Sequence, residues 1–141
     1  MRTVLDTNIV VSALLFRGKA AAIHRAILGG KIEPYICPEI LQEYTRVLAY
    51  PKFGLSNADI TYLLQEEIAV WCHTIADAID DRQWIPEDAA DDVFINAARA
   101  VPGCVLVSGD SHILSRRDSL PVRVFSVSEL LQELDCLPPA P

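Results

Sequence analysis

Cys104-Val105-Leu106-Val107-Ser108-Gly109-Asp110 is the stretch on which the fold turns. Cys104 to Val107 are apolar at consecutive positions, with no alternation, and a small pair then leads into an acid. A strand with one wet face would alternate apolar and polar residues. An unbroken run fits a strand buried on both faces of a parallel sheet. Before this strand, a helical pattern follows Pro86, begins near Asp91 and turns Val93, Phe94, Ala97 and Ala98 inward. After it, Ser111 to Leu114 reads as a short helical turn and Val122-Arg123-Val124-Phe125 as a last strand. Ser126 and Glu129 form the capping-box signature of a final helix.

The N-terminal half repeats the same alternation. Val4-Leu5 is a short buried strand that stops at Asp6, and the apolar run from Asn8 reads as a helix capped by Thr7 and Asn8. Lys19 to Leu28 is a second helix, ended by Gly29-Gly30. Pro34 to Cys37 is a strand, and Pro38 suits the first position of the next helix. There Ile40, Leu41, Tyr44, Val47 and Leu48 share one side, with Glu43 beside them. Pro51 to Gly54 is a loop, and Ser56 caps a long helix to about Trp71. Strands alternating with helices predict an α/β protein, a three-layer α/β/α sandwich with a largely parallel central sheet. The expected organisation is one domain over 1–136 and a flexible Pro-rich tail at 137–141.

Composition narrows the class. Of 141 residues, 51% are hydrophobic and 22% charged, a globular mixture. No apolar run approaches the roughly 18–20 residues that span a bilayer, and an acid at position 6 spoils a signal-peptide core. A cytoplasmic location without membrane contact is therefore expected. Cys37, Cys72, Cys104 and Cys136 form no CxxC pair, and His24, His73 and His112 are scattered, so reduced thiols are expected and a zinc site is not. The net charge of −7 opposes tight, non-specific binding of long polynucleotides. It is compatible with a short or structured RNA if the acids surround cations. Basic residues are bunched as Arg17 with Lys19, Arg46 with Lys52, and Arg116 with Arg117.

Ligands of parallel sheets bind beyond the carboxyl ends of the strands, and Asp6 and Asp110 both fall there. Each has a plain alternative as a helix cap. Asp91 and Asp92 likewise suit the first turn of a helix capped by Asp88, and Glu43 suits a solvated helix surface. Together, Asp6, Glu43, Asp91 and Asp110 make an all-oxygen set appropriate to Mg²⁺ or Mn²⁺. Such a centre lowers the pKa of bound water and stabilises charge on a phosphate. The nucleotide motifs GxxxxGK[ST] and GxGxxG are missing, and so is any Ser–His–Asp arrangement.

Leu5-Asp6-Thr7-Asn8, Ser12-Ala13-Leu14-Leu15, Glu43-Tyr44, Pro51-Lys52-Phe53, Asp91-Asp92-Val93-Phe94-Ile95 and Val107-Ser108-Gly109-Asp110 resemble the PIN-domain family in order and spacing. The nearest subgroup is that described as toxin components of toxin–antitoxin systems, related to the VapC toxins. The likeness runs from about residue 2 to 130. It implies a ribonuclease fold, often dimeric, that cleaves RNA with Mg²⁺ or Mn²⁺ to leave 5′-phosphate and 3′-hydroxyl ends. It also implies a cognate antitoxin protein. By position it makes Asp6, Glu43, Asp91 and Asp110 the catalytic and metal-binding acids. Asn8 orders the site, Ser108 stands where many relatives carry threonine, and Asp92 is either the third ligand in place of Asp91 or an outer partner. Two other classes compete: a catalytically silent protein-binding module of the same fold, and a phosphatase or phospho-acceptor using Asp6. The last would want a further acid near Asp6, and Asn8 stands there instead.

Overall fold

The computed structural model describes residues 1–16, 18–77 and 79–136, so Arg17 and the tail expected at 137–141 lie outside the described residues. Strands β1 (Arg2–Leu5), β2 (Glu33–Ile36), β3 (His73–Thr74), β4 (Val105–Val107) and β5 (Arg123–Phe125) pair in parallel, in the order β3-β2-β1-β4-β5. In the centre Val4 sits opposite Leu106 and Leu5 opposite Val107. All four are buried, as are Thr3 and Val105, so both faces of the central strands are covered. That is why the sequence there is continuous rather than alternating.

The helices carry most of the predicted punctuation. α1 (Thr7–Leu15) follows β1 directly, and its N-cap is Asp6, not the expected Thr7 or Asn8. α2 (Lys19–Leu28) ends at Gly29, and Gly30 takes φ +74, a conformation L side chains rarely adopt. α3 (Pro38–Leu48) places Pro38 at its start. The expected long helix is one helical segment in three parts: α4 (Asn57–Tyr62), a π-helical turn at Leu63–Ile68, and α5 (Ala69–Trp71). Ser56 and Asp59 close its capping box. β3, which follows, was not foreseen, because two residues are too few to show a period. α6 (Ala89–Ala100) is capped by Asp88, α7 (Ser111–Leu114) by Asp110, and α8 (Val127–Asp135) by the Ser126–Glu129 box.

α6 lies across β1, β4 and β2, while α1 packs on α2 and α3, and α2 on α8. α6 is more deeply sunk than its apolar spacing predicts: Ile95 and Asn96 are buried as well as Phe94, Ala97 and Ala98, whereas Val93 is half-buried. The Tyr44 and Phe94 rings meet at 6.4 Å between α3 and α6, and the Tyr44 hydroxyl donates to the Leu5 carbonyl. This bond ties α3 to the end of β1, next to Asp6. All four cysteines are free: Cys37 and Cys104 are buried, Cys72 half-buried and Cys136 exposed. Among the described residues no helix is long and apolar enough to cross a membrane.

Candidate active site

The strand order reverses at β1, whose connections lead to β2 on one side while β4 lies on the other. At such a switch point the loops leave in opposite directions and open a crevice beyond the strand ends. Asp6 stands at the end of β1, and the Ser108-Gly109-Asp110 turn at the end of β4. Ser108 joins the two. Its fully buried hydroxyl donates to Asp6 Oδ2 at 2.7 Å and accepts from the Asp110 amide at 3.0 Å. Asp6 Oδ1 accepts from the Thr7 amide at 2.7 Å, and Asp110 Oδ1 from the His112 amide at 2.7 Å. Asp6 and Asp110 are thus both helix caps and neighbours across the crevice, and neither role displaces the other.

Asp91 enters from α6 as the third helical residue and is only 6% exposed. Its Oδ2 is buried and has no hydrogen-bond partner among the described residues. Burial pushes its carboxyl up to about 7, with the charges of Asp110, Asp88, Asp6 and Asp92 adding to the effect. Burial likewise raises Asp6, against the opposing hydrogen bonds from Ser108 and Thr7, and Asp110 and Asp88 raise it further. Acids pressed together in this way resist ionisation unless positive charge joins them.

A cleft of about 330 Å³ is lined by Asp6, Glu43, Asp91 and Asp110 together with Asn8 and Thr7. Within it Glu43 is gripped by Arg46, at 2.5 and 3.2 Å to its two carboxylate oxygens, and Arg46 also donates to the Tyr50 hydroxyl at 2.6 Å. Lys52 and Asp88 line the same cleft. Asp92 turns elsewhere. Its Oδ1 accepts from the amides of Trp84 and Ile85, at 2.7 and 2.8 Å, and it faces a separate hollow with Asn96 and Asp80.

Sequence reasoning named Arg46 and Lys52 only as bunched basic residues and Asp88 only as a helix cap, and it passed over Tyr50 and His112. The Glu43–Arg46 contact was open to it, since residues three apart share a helix face. His112 was passed over because the three histidines were taken as equally scattered. In the structure His24 lies against Trp71, His73 stacks on Tyr35, and His112 alone stands beside the acids.

Ser108→Ala isolates the tie between the strands. It leaves one Asp6 oxygen and the Asp110 amide without their partner, and is expected to cost about 1–3 kcal/mol in urea unfolding. Ser108→Thr, which keeps the hydroxyl, should recover most of that loss. Equal losses in both variants would show that packing, rather than the hydrogen bonds, is at stake.

A parallel α/β protein with an acid-lined cleft at the switch point of its sheet is the class defined by these features. A family profile described as PIN domain matches residues 2–112, and the chain belongs to the PIN-domain family. Domains of this family are generally nucleases, hydrolases of phosphodiester bonds. No curated protein matches the chain.

Proposed function

We propose that this chain is a metal-dependent endoribonuclease, the toxin of a toxin–antitoxin pair. The observation that carries the reading is the buried Oδ2 of Asp91, unpartnered among the described residues and held among Asp6, Asp88 and Asp110. Buried carboxylate oxygen is costly without a compensating charge, and an oxygen-rich donor set suits Mg²⁺ or Mn²⁺. Asp91 and Asp110 would hold the ion, with Asp6 and Glu43 completing the acidic wall. A bound dication supplies Lewis-acid stabilisation of phosphate charge and a more acidic water.

The chain's own side chains supply the remainder. Ser108 and the Thr7 amide fix the Asp6 carboxylate, and Tyr44 fixes the strand end that carries it. Arg46 and Lys52 bring positive charge to the cleft, where they would meet the phosphates flanking the scissile bond. Lys52, with Arg46 offsetting Glu43, would lessen locally the net negative charge that opposes RNA binding. Asn8, at the cleft wall, would order the site. A cognate antitoxin belongs to the same reading, as does a homodimer through the helical segment from Asn57 to Trp71, where Tyr62 and Val70 remain exposed.

Asp6→Asn should slow Mn²⁺-dependent cleavage of RNA by roughly a hundredfold or more while leaving the fold intact by circular dichroism. Induced in a bacterial host, the parent should arrest growth and the variant should not. Cleavage by the variant at the parent's rate would sink the assignment. A silent binding module differs in a second respect, since Mn²⁺ would leave its melting midpoint unchanged, whereas a metal-binding nuclease melts higher with the ion.

A further inference from the structure

His112 is the second residue of α7, two positions past Asp110. One of its ring nitrogens and one carboxylate oxygen from each of Asp91 and Asp110 all lie within 4.8 Å of one another. Its Nδ1 is 3.7 Å from Asp110 Oδ1. We propose that His112 is itself a ligand of the cation, so that the inner donor set is Asp91, Asp110 and His112 rather than carboxylates alone. The inference rests on the metal-binding reading above and specifies it further.

The argument follows from which donor atoms are already committed. Asp6 has both oxygens engaged, one by the Thr7 amide and one by the Ser108 hydroxyl. Glu43 has both oxygens on Arg46. Asp110 commits Oδ1 to the His112 amide, a bond that sets the side chain of Asp110 and the backbone of His112 in one turn. Asp91 Oδ2 is buried and unpartnered among the described residues. Among the four acids and His112, the donor atoms without a hydrogen bond belong to Asp91, Asp110 and His112, the same residues whose ligand atoms converge.

Charge balance favours the same set. Two carboxylates and a neutral imidazole balance a dication, whereas four carboxylates would leave surplus negative charge facing a phosphodiester. With Glu43 neutralised by Arg46 and Asp6 held by hydrogen bonds, the centre can receive an anionic substrate. Imidazole suits first-row transition metals, while Mg²⁺ is bound through oxygen and keeps several waters. The site should therefore rank Mn²⁺ above Mg²⁺ more steeply than an all-oxygen site does. On this proposal a mixed donor set replaces the all-oxygen one expected from the sequence.

The test loads the full chain with Mn²⁺ and reads nitrogen hyperfine modulation by pulsed electron paramagnetic resonance, beside calorimetric titration with Mn²⁺ and with Mg²⁺. The parent should show imidazole nitrogen coupling. H112Q, an exposed substitution that should leave the fold untouched, should lose the coupling and bind Mn²⁺ at least about tenfold more weakly, with Mg²⁺ binding little changed. Mn²⁺ bound to the parent without nitrogen coupling, or coupling that persists in H112Q, overturns the role of His112 and leaves the nuclease reading standing. A parent that binds no Mn²⁺ overturns both.

Discussion

Asp91→Asn is expected to cut metal-dependent RNA cleavage by on the order of a thousandfold, matching the several kcal/mol that a catalytic metal supplies, and at the same time to stabilise the metal-free protein at alkaline pH. The second half follows from linkage. In the folded chain the Asp91 carboxyl is raised to about 7 by burial and by Asp110, Asp88 and Asp6. In the unfolded chain it titrates near its ordinary value of 3.8. Between those values the folded state holds a proton that the unfolded state has released, so stability falls as pH rises through this window and stays low above it. Below about pH 4 both states are protonated and the penalty disappears. A shift of this size corresponds to about 4 kcal/mol as a ceiling, and roughly half of that is a fair expectation for a group coupled to its neighbours. With EDTA present, urea unfolding at pH 8 should show the variant more stable than the parent by about 2 kcal/mol, and the difference should shrink toward pH 4. Added Mn²⁺ should restore the parent and leave the variant nearly unmoved. A parent whose stability relative to the variant is the same at pH 5 and pH 8 would show that Asp91 is not under this strain. Opposite signs for activity and stability are the mark of a side chain placed for binding rather than for folding.

The sequence made the fold legible where burial leaves a pattern. Val105 to Val107 could be read as a central strand because both of its faces are covered, and Asp6 and Asp110 could be read as candidate site residues because each falls beyond the carboxyl end of a strand. β3 could not be read, since two exposed residues carry no period, and its pairing with β2 comes from tertiary contact through Tyr35 and His73. Between Asp91 and Asp92 the sequence favoured Asp91 without settling the choice. Both fall in the first turn of α6 and both are buried, and only the path of the chain around Trp84 gives Asp92 other partners. Glu43 was legible as a candidate, but its grip by Arg46 was not weighed, although the i,i+3 spacing was there to be seen. His112 shows why spacing along the chain is a poor guide to a site assembled from several elements. It has no histidine or cysteine near it in sequence, and its neighbours Asp91 and Asp110 come from a different helix and from the preceding turn.

Asp92→Ala should be the most destabilising single change among the acids, for a reason unconnected with the reaction. The Asp92 carboxylate is 6% exposed, and its Oδ1 accepts from two successive amides, Trp84 and Ile85. The Trp84 indole donates to Asn96 Oδ1, one turn further along α6, at 2.9 Å, and Asn96 Nδ2 donates to the Arg82 carbonyl at 2.8 Å. Arg82 and Arg99 lie against the two-ring system of Trp84, at 4.5 and 5.0 Å from its centre. The segment before α6, which otherwise has little regular structure to hold it, is thereby fastened to the helix at two levels. Removal of the carboxylate strands two amides, one of them buried, at about 1–3 kcal/mol for each unsatisfied group. A loss of roughly 2–4 kcal/mol is expected in urea unfolding. Asp92→Asn retains a carbonyl oxygen at the same position and should lose less than half as much. The consequence for catalysis is indirect: Ile85 is followed closely by Glu87 and Asp88, and Glu87 is paired with Arg116 beyond α7, so a loosened segment frees the N-terminal end of α6 that presents Asp91. Asp92→Ala should therefore lower cleavage far less than Asp91→Asn at temperatures where both remain folded. If Asp92→Ala abolished cleavage without destabilising the fold, the two acids would have to exchange the roles given them here.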